Sequence, residues 1–389
     1  MLPLSYTLRS LWGRRSRNAL TVGVIALVVL ALGLLSGLVS SMKAGLESAG
    51  SPRNVIVLRK GASGDAASAL PLEAVQALRF FEGVARDERG EPLASGELLV
   101  QPFAATRRGG RESAQVRGVE PAAFAVHDEL RIVAGRRLEP SRGEALVGRA
   151  AAARYRGAEP GGALRLGNST WQVVGVFETG SALDGEIWVD ARQLANDAKR
   201  LSPYSSVRLR VAPGADVSAL IRRIQSDPRF GLAASVESAF YAKQAKGADA
   251  LYVVVGGLAL LAGVGAAFGA TNTLYAAVQA RRREIGTLRA LGFSSAAVAG
   301  AFLLESALLA LAGFVLGGAL AGLATLAIAA WLGDVSTLSM NGGALVALRV
   351  GARDLAFAGA LALAIGLVGA VPPALRAARL RPIEALRKG

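Results

Sequence analysis

Apolar residues in this chain gather into four long runs separated by segments of very different character. The first run, ALTVGVIALVVLALGLLSGLV (residues 19–39), carries no charge and would be about 31 Å long as a helix. The second is uncharged from Ala250 to Ala280, and the third extends from Phe293 to Trp331 with a single charge at Glu305. The fourth is LAFAGALALAIGLVGAVPPAL (355–375). A soluble core helix of such length carries a polar stripe. These carry none, so each is expected to span a bilayer. The first run also has the basic lead-in of a signal peptide, but its apolar part exceeds the roughly 7–15 residues of such peptides. A retained anchor is expected.

Between the first and second runs the pattern changes to short alternating segments. NVIVLRK (54–60), GELLVQPFAA (96–105), AQVRGVE (114–120), ALRLGNSTWQVVGVFE (163–178), GEIWVD (185–190) and SSVRLRVA (205–212) read as strands bounded by Gly, Pro or Asn. PLEAVQALRFF (71–81) and DVSALIRRIQS (216–226) read as helices, the latter with Val217, Leu220, Ile221 and Ile224 at helical spacing behind a capping Asp216. AFYAKQAKGADALYVVVGG (239–257) reads as a stalk helix leading into the second span. The fold class is therefore a membrane protein: four transmembrane α-helices with a large mixed α/β extracytoplasmic domain inserted between helices 1 and 2.

Composition supports this division. The chain is 52% hydrophobic with mean hydropathy +0.40 but only 6% aromatic, as expected of helices built from Ala, Leu, Val and Gly. The net charge of +15 would suit nucleic acid, but its placement argues against that partner. Arg9, Arg14, Arg15 and Arg17 precede the first run; Arg281, Arg282, Arg283 and Arg289 lie between the second and third. Arg376, Arg379, Arg381, Arg387 and Lys388 follow the fourth, and only Glu284 and Glu384 oppose them all. The positive-inside rule then puts both termini and the short second loop in the cytosol.

Catalytic material is scarce. Cysteine is absent, His127 is the lone histidine and reads as a loop or surface residue, and neither GxxxxGK[ST] nor GxSxG occurs. No catalytic and no metal-binding residue is expected. GVGAAFG (263–269) superficially resembles a dinucleotide loop but lies inside an apolar run, where glycine serves close helix packing. Asn168-Ser-Thr matches a glycosylation acceptor, although a loop between strands needs no such role. Gly33/Gly37, Gly265/Gly269, Gly313/Gly317 and Gly318/Gly322 are spaced as GxxxG, which favours a helix bundle and, beyond it, a dimer. Glu305, about 15 Å into the third helix, has two readings. It meets a partner across the bundle or dimer seam, or it sits near the cytosolic headgroups.

The stretch AVQARRREIGTLRALGFSS (277–295) holds more than a turn requires. Ile285, Leu288 and Leu291 fall roughly on one face, Arg282 and Arg289 share another, Gly292 suits a helix end, and Ser294 or Ser295 an N-cap. A short amphipathic helix results, placed either to meet a cytosolic partner or to lie among anionic headgroups.

The segment RRREIGTLRALGFSSAAVAGAFLLESALLALAGFVLGGALAGL (281–323) resembles the signature of MacB/FtsX-type ABC transporter permeases. LRSLWGRRSRNALTVGVIAL (8–27), PPALRAARLRPIEALRKG (372–389), GRRLEPSRGEALVGRAAAARY (135–155) and WQVVGVFETGSALDGEIWVD (171–190) resemble that family's entry, tail and periplasmic core. The likeness covers most of the chain, and 281–323 is its most specific part.

The resemblance implies a permease subunit without catalysis of its own. Arg282, Arg283, Glu284, Ile285, Gly286, Leu288, Arg289 and Gly292 would form the coupling helix that docks on an ATPase, and Glu305 matches a glutamate usual in the third helix. The absence of a Walker motif implies an ABC ATPase on a separate polypeptide in two copies, holding the ATP and Mg, as in lipoprotein-releasing and DevC-like systems. A second permease copy, identical or a paralogue, is implied, with a periplasmic membrane-fusion or adaptor protein as a further partner. The location implied is the bacterial inner membrane. The expected organisation is a cytoplasmic segment (1–18), helix 1 (19–41), the periplasmic core domain with stalk (42–249) and helix 2 (250–280). The coupling helix (281–294), helix 3 (295–331), an external loop (332–354), helix 4 (355–375) and a cytoplasmic tail (376–389) follow. The implied action is mechanotransmission, which exports or extracts a lipid, lipoprotein, peptide or small molecule. Two rivals remain: an FtsX-like scaffold regulating a cell-wall hydrolase, and a membrane-bound enzyme using carboxylate chemistry such as glycoside hydrolysis.

Overall fold

A computed structural model of the protein describes residues 15–247, 249–332 and 348–380. The expected N-terminal segment to residue 14, most of the external loop (333–347) and the tail from 381 lie outside the described residues. The chain divides into two compact units, one helical (Met1–Ser40, Asp249–Ala327, Arg349–Gly389) and one α/β (Ser41–Ala248, Ile328–Leu348).

Helix α1 (Arg15–Glu47) opens the described chain. The α/β unit then runs β1 (Asn54–Arg59), α2 (Leu72–Leu78), β2 (Ala94–Val100), β3 (Phe103–Ala105), β4 (Arg111–Ser113) and β5 (Gln115–Val119). It continues with α3 (Ala123–Val126), β6 (Arg131–Gly135), β7 (Glu144–Gly148), α4 (Arg149–Arg154), β8 (Ala163–Leu166) and β9 (Ser169–Glu178). Last come β10 (Glu186–Asp190), α5 (Ala191–Asp197), β11 (Ser206–Arg210), α6 (Val217–Ser226), β12 (Leu232–Val236) and α7 (Glu237–Gly247).

The strands form one sheet in the order β12-β1-β11-β2-β5-β10-β7-β9-β8-β3-β4, with β6 paired to β9. Pairs β5/β10 and β7/β9 are parallel. One apolar core gathers Val57, Leu78, Tyr204, Leu209, Leu220 and Ile224 beneath α2 and α6. A second gathers Leu98, Val116, Val147, Trp171, Ile187 and Val189.

The sequence reading needs adjustment in detail. GELLVQPFAA is two strands broken at residues 101–102, and the 163–178 segment is a hairpin with Asn168 exposed at its turn. Strand β7, buried at all five of its residues, escaped detection, as did β4, β6 and β12. Asp216 caps α6 as its spacing predicts, accepting from Ser218 N.

In the helical unit, α8 (Asp249–Ala280), α9 (Arg282–Ala290), α10 (Ser295–Leu332) and α11 (Ala352–Ala378) follow. Helices α1, α8, α10 and α11 are each long and apolar enough to cross a membrane. Small residues set their approach. A Cβ on Gly317 of α10 would lie 2.5 Å from Ala26 O of α1, and one on Gly366 of α11 would lie 2.7 Å from Ala310 Cβ of α10. Helix α11 also meets α8, where Thr271 Oγ1 donates to Gly369 O (2.8 Å). Within GVGAAFG, Gly263 faces Ile365 and Leu361 of α11, whereas Gly265 and Gly269 face open space.

Candidate functional site: the charged helix α9 and two buried ion clusters

Helix α9 is held on one side and open on the other. Ile285 and Gly286 are buried, and Ile285 packs among Val278, Val298, Phe302, Ala374 and Ala377, so α8, α10 and α11 all contribute to its seat. Arg282, Leu288 and Arg289 are half-buried, while Arg283, Glu284, Leu291 and Gly292 are exposed. The expected apolar face therefore splits. Ile285 is the anchor and is closed to any partner, whereas Leu291 is 72% exposed and is the outward knob.

The helix stops because Gly292 takes φ +91°, a conformation that glycine adopts freely. Phe293 N then donates to Leu288 O (3.1 Å) and Gly292 N to Arg289 O (3.2 Å), the paired bonds of a Schellman end. Ser294 Oγ accepts from Ala297 N (3.1 Å) and starts α10 at once.

Glu305 finds a partner across the bundle. Arg281 Nη1, between α8 and α9, donates to Glu305 Oε2 at 2.8 Å, with both side chains 7% exposed. The guanidinium also lies 5.8 Å from the centre of the Phe302 ring. The pair ties the start of α9 to the interior of α10. Removing either member would strand a buried charge at a cost of about 3–5 kcal/mol.

The α/β unit holds a second ion cluster, and it corrects the reading of His127. The residue does lie in a loop, just after α3, but it is 1% exposed and not at the surface. Its Nε2 lies 3.0 Å from Glu97 Oε1, its Nδ1 3.4 Å from Glu129 Oε1, and its ring stands edge-on to Trp188. Burial disfavours the imidazolium, but the charge of Glu97 and bonds to Glu129 and Glu97 outweigh it and raise His127 to about 9.

Arg117 is bidentate to Glu186 (2.6 Å each) and also donates to Asp65 (2.9 Å) and Glu97 (3.0 Å). Arg208 joins Glu97, Asp65 and Glu237, its Nε meeting Glu237 Oε1 at 2.7 Å. Despite burial, Arg208, His127 and Arg117 hold Glu97 down at about 2, and Arg208, Arg117 and a bond from Ser205 hold Asp65 lower still. Glu237 opens α7 and accepts further bonds from Asn54 Nδ2 (2.9 Å) and Ser51 N (3.1 Å). The cluster thus fastens the first turn of α7 to β1 and β11.

Sequence reasoning passed over Arg208 and Arg117. In SSVRLRVA the arginines alternate with Val207 and Leu209 and imitate a solvent face. Helices α3 and α7 cover that face, and the faint signal was Arg208 isolated between the apolar Val207 and Leu209.

Four apolar membrane-type helices, with an α/β domain between the first and second, define the class as a polytopic membrane protein. A family model of the MacB-like periplasmic core domain matches residues 19–227, and one of the FtsX-like permease C-terminal region matches residues 256–382. The chain belongs to the MacB/FtsX-type ABC transporter permeases. It is similar to an uncharacterized ABC transporter permease of Methanocaldococcus jannaschii, 26% identical over 58% of this chain and 57% of that one. It is also similar to the uncharacterized ABC transporter permease YknZ of Bacillus subtilis, 35% identical over 34% of this chain and 30% of that one. The chain thus spans about half the length, or less, of these curated relatives. The solved periplasmic region of MacB from Actinobacillus actinomycetemcomitans aligns with 50% of this chain and 92% of its own, at 12% identity and a TM-score of 0.38.

Proposed function

We propose that the chain is a permease subunit that converts ATP hydrolysis on a separate pair of ABC ATPase subunits into movement of its α/β domain. It works as a dimer in a bacterial inner membrane with both termini cytoplasmic. The movement exports or extracts a lipid, lipoprotein, peptide or small molecule, with an adaptor protein on the far side. ATP and Mg belong to the ATPase, and this chain performs no catalysis.

The observation that carries this reading is the two-sidedness of α9. Its inner face is fixed by Ile285 and by the neighbouring Arg281–Glu305 pair, so force on the helix passes into α8, α10 and α11. Its outer face presents Arg283, Glu284 and Leu291. A helix lying passively among headgroups would turn its apolar side to lipid, whereas here Ile285 turns into the protein. At the other end of α8 the chain passes within two residues to α7, whose first turn is fastened to the sheet through Glu237 and Arg208. The buried carboxylates Asp65, Glu97, Glu186 and Glu237 are all engaged by arginine, which supports a mechanical rather than a hydrolytic role for the domain.

The test is affinity copurification of the intact protein in mild detergent beside an Arg283→Glu, Glu284→Lys double variant. Both side chains are exposed, so the variant keeps the bundle. A Walker-containing ATPase is expected with the wild type and is expected to fall by about tenfold or more with the variant. Equal recovery from both would remove α9 from the docking surface. No ATPase from either would sink the transporter reading, and a cell-wall hydrolase in its place would favour the FtsX-like scaffold.

A further inference from the structure

Beside α9, the helical unit has an open groove between the start of α10 and the end of α11. Its walls include Arg289 and Arg379 together with Ser295, Ala299, Leu375 and Leu380. Two features set it apart. Among the described residues neither arginine meets a carboxylate, although arginines elsewhere in the protein commonly do. Arg289 gives one hydrogen bond, from Nη1 to Phe293 O (3.3 Å), and its Nε is buried with no acceptor. Among the described residues no acidic side chain lines the groove, which leaves two cations on its walls.

The second feature is an apolar track leading away from the cationic end. Leu375 is 49% exposed, and one and two turns back along the same face of α11 Val371 and Val368 are 43% and 64% exposed. That track rises about 10 Å along the helix. A soluble phosphate would use the arginines and ignore the track. An acidic protein segment would likewise leave the track uncovered inside the span. An anion joined to a hydrocarbon chain satisfies both.

We propose that this groove binds an anionic phospholipid, its phosphate between Arg289 and Arg379 and one acyl chain along Leu375, Val371 and Val368. Basic pockets at the cytoplasmic ends of membrane helices recognise headgroups in this way. The proposal rests on the membrane-permease reading and adds to it a lipid seated against the last turn of α9. The lipid neutralises Arg289 and braces the helix that takes the load.

The experiment is native mass spectrometry of the full chain from mild detergent, titrated separately with phosphatidylglycerol and phosphatidylcholine of matched acyl chains. Two arginines near the surface predict about a 30-fold preference for phosphatidylglycerol. Arg379→Gln, an exposed change, should lower that preference about fivefold, and Arg289→Gln with Arg379→Gln should abolish it. The Arg289→Lys, Arg379→Lys pair keeps the charge and should keep most of the preference. If Arg379→Gln leaves the preference unchanged, or wild type binds both lipids equally, the proposal is overturned. If the glutamine variants lose the ATPase but keep the lipid, the groove is a protein-docking surface and the lipid assignment also falls. Because lipid retention is read on the isolated chain, its failure is distinct from a failure to recover an ATPase.

Discussion

At the scale of single residues, His127 carries the clearest consequence. A free histidine titrates near 6.5; here the residue is held as a cation to about 9 by Glu97 and Glu129 against the effect of burial. Because the folded pKa is raised, the stabilisation is complete below pH 6.5 and is lost as the pH climbs through about 9. The stake is on the order of 3 kcal/mol for the α/β unit. The carboxylates behave oppositely. Glu97, lowered to about 2, contributes above its ordinary 4.5 and loses that contribution as the pH falls toward 2. Thermal unfolding of the full chain in detergent, followed by tryptophan fluorescence, should therefore be highest near pH 6 and fall by several degrees between pH 6.5 and about 9. Above about pH 9 this contribution is spent and the fall should level off. His127→Gln should start lower and show little of this alkaline fall. A wild type as stable at pH 10 as at pH 7 would mean that His127 is not held as a cation. Only Glu129, two residues on, is visible along the chain; Glu97 and Glu237, whose charges also hold the imidazolium, reach His127 only through the fold.

At the scale of elements, glycine separates the helix faces already in use from those still open. A Cβ on Gly317 would press on Ala26 O at 2.5 Å and Val29 Cβ at 2.7 Å, whereas one on Gly269 would touch nothing within 4 Å. Gly317→Ala should cost about 1–3 kcal/mol through overpacking against α1. Gly269→Ala should be neutral or gain up to about 1 kcal/mol from helix propensity. Melting of the two variants in one detergent decides it, and a marked loss for Gly269→Ala would show that another chain covers this face of α8. Both glycines sit in the same GxxxG spacing, so spacing reports only a capacity for close approach and never which helix uses it. The end of α9 was fully legible, because Gly292 and Ser294 act through their own backbone neighbourhood. The roles of Ile285 and Leu291 were not. Both are apolar on a short helix, and only the seat formed by Val278, Val298, Phe302 and Ala374 decides which one turns inward.

At the scale of the whole molecule, the four membrane helices were readable because a helix facing lipid must be apolar around its circumference, a condition written residue by residue. Their order around the bundle was not, since it depends on pairs such as Gly317 with Ala26 and Thr271 with Gly369, far apart in sequence. The side of the membrane each loop occupies rests on the arginine distribution and can be tested directly. The chain has no cysteine, so single introduced thiols report without background. Glu88→Cys lies at an exposed loop of the α/β unit and Thr287→Cys on the exposed side of α9. In intact spheroplasts a membrane-impermeant maleimide should label Cys at 88 and spare Cys at 287, which should react only after permeabilisation. The expectation rests on the positive charge flanking the spans: moving Arg281, Arg282, Arg283 and Arg289 outward would oppose both the insertion bias and the membrane potential. Labelling of position 287 from outside would invert the protein and put α9 out of reach of any cytosolic ATPase. Protection of both positions would place the α/β unit in the cytosol, leaving no far-side domain for the helices to drive.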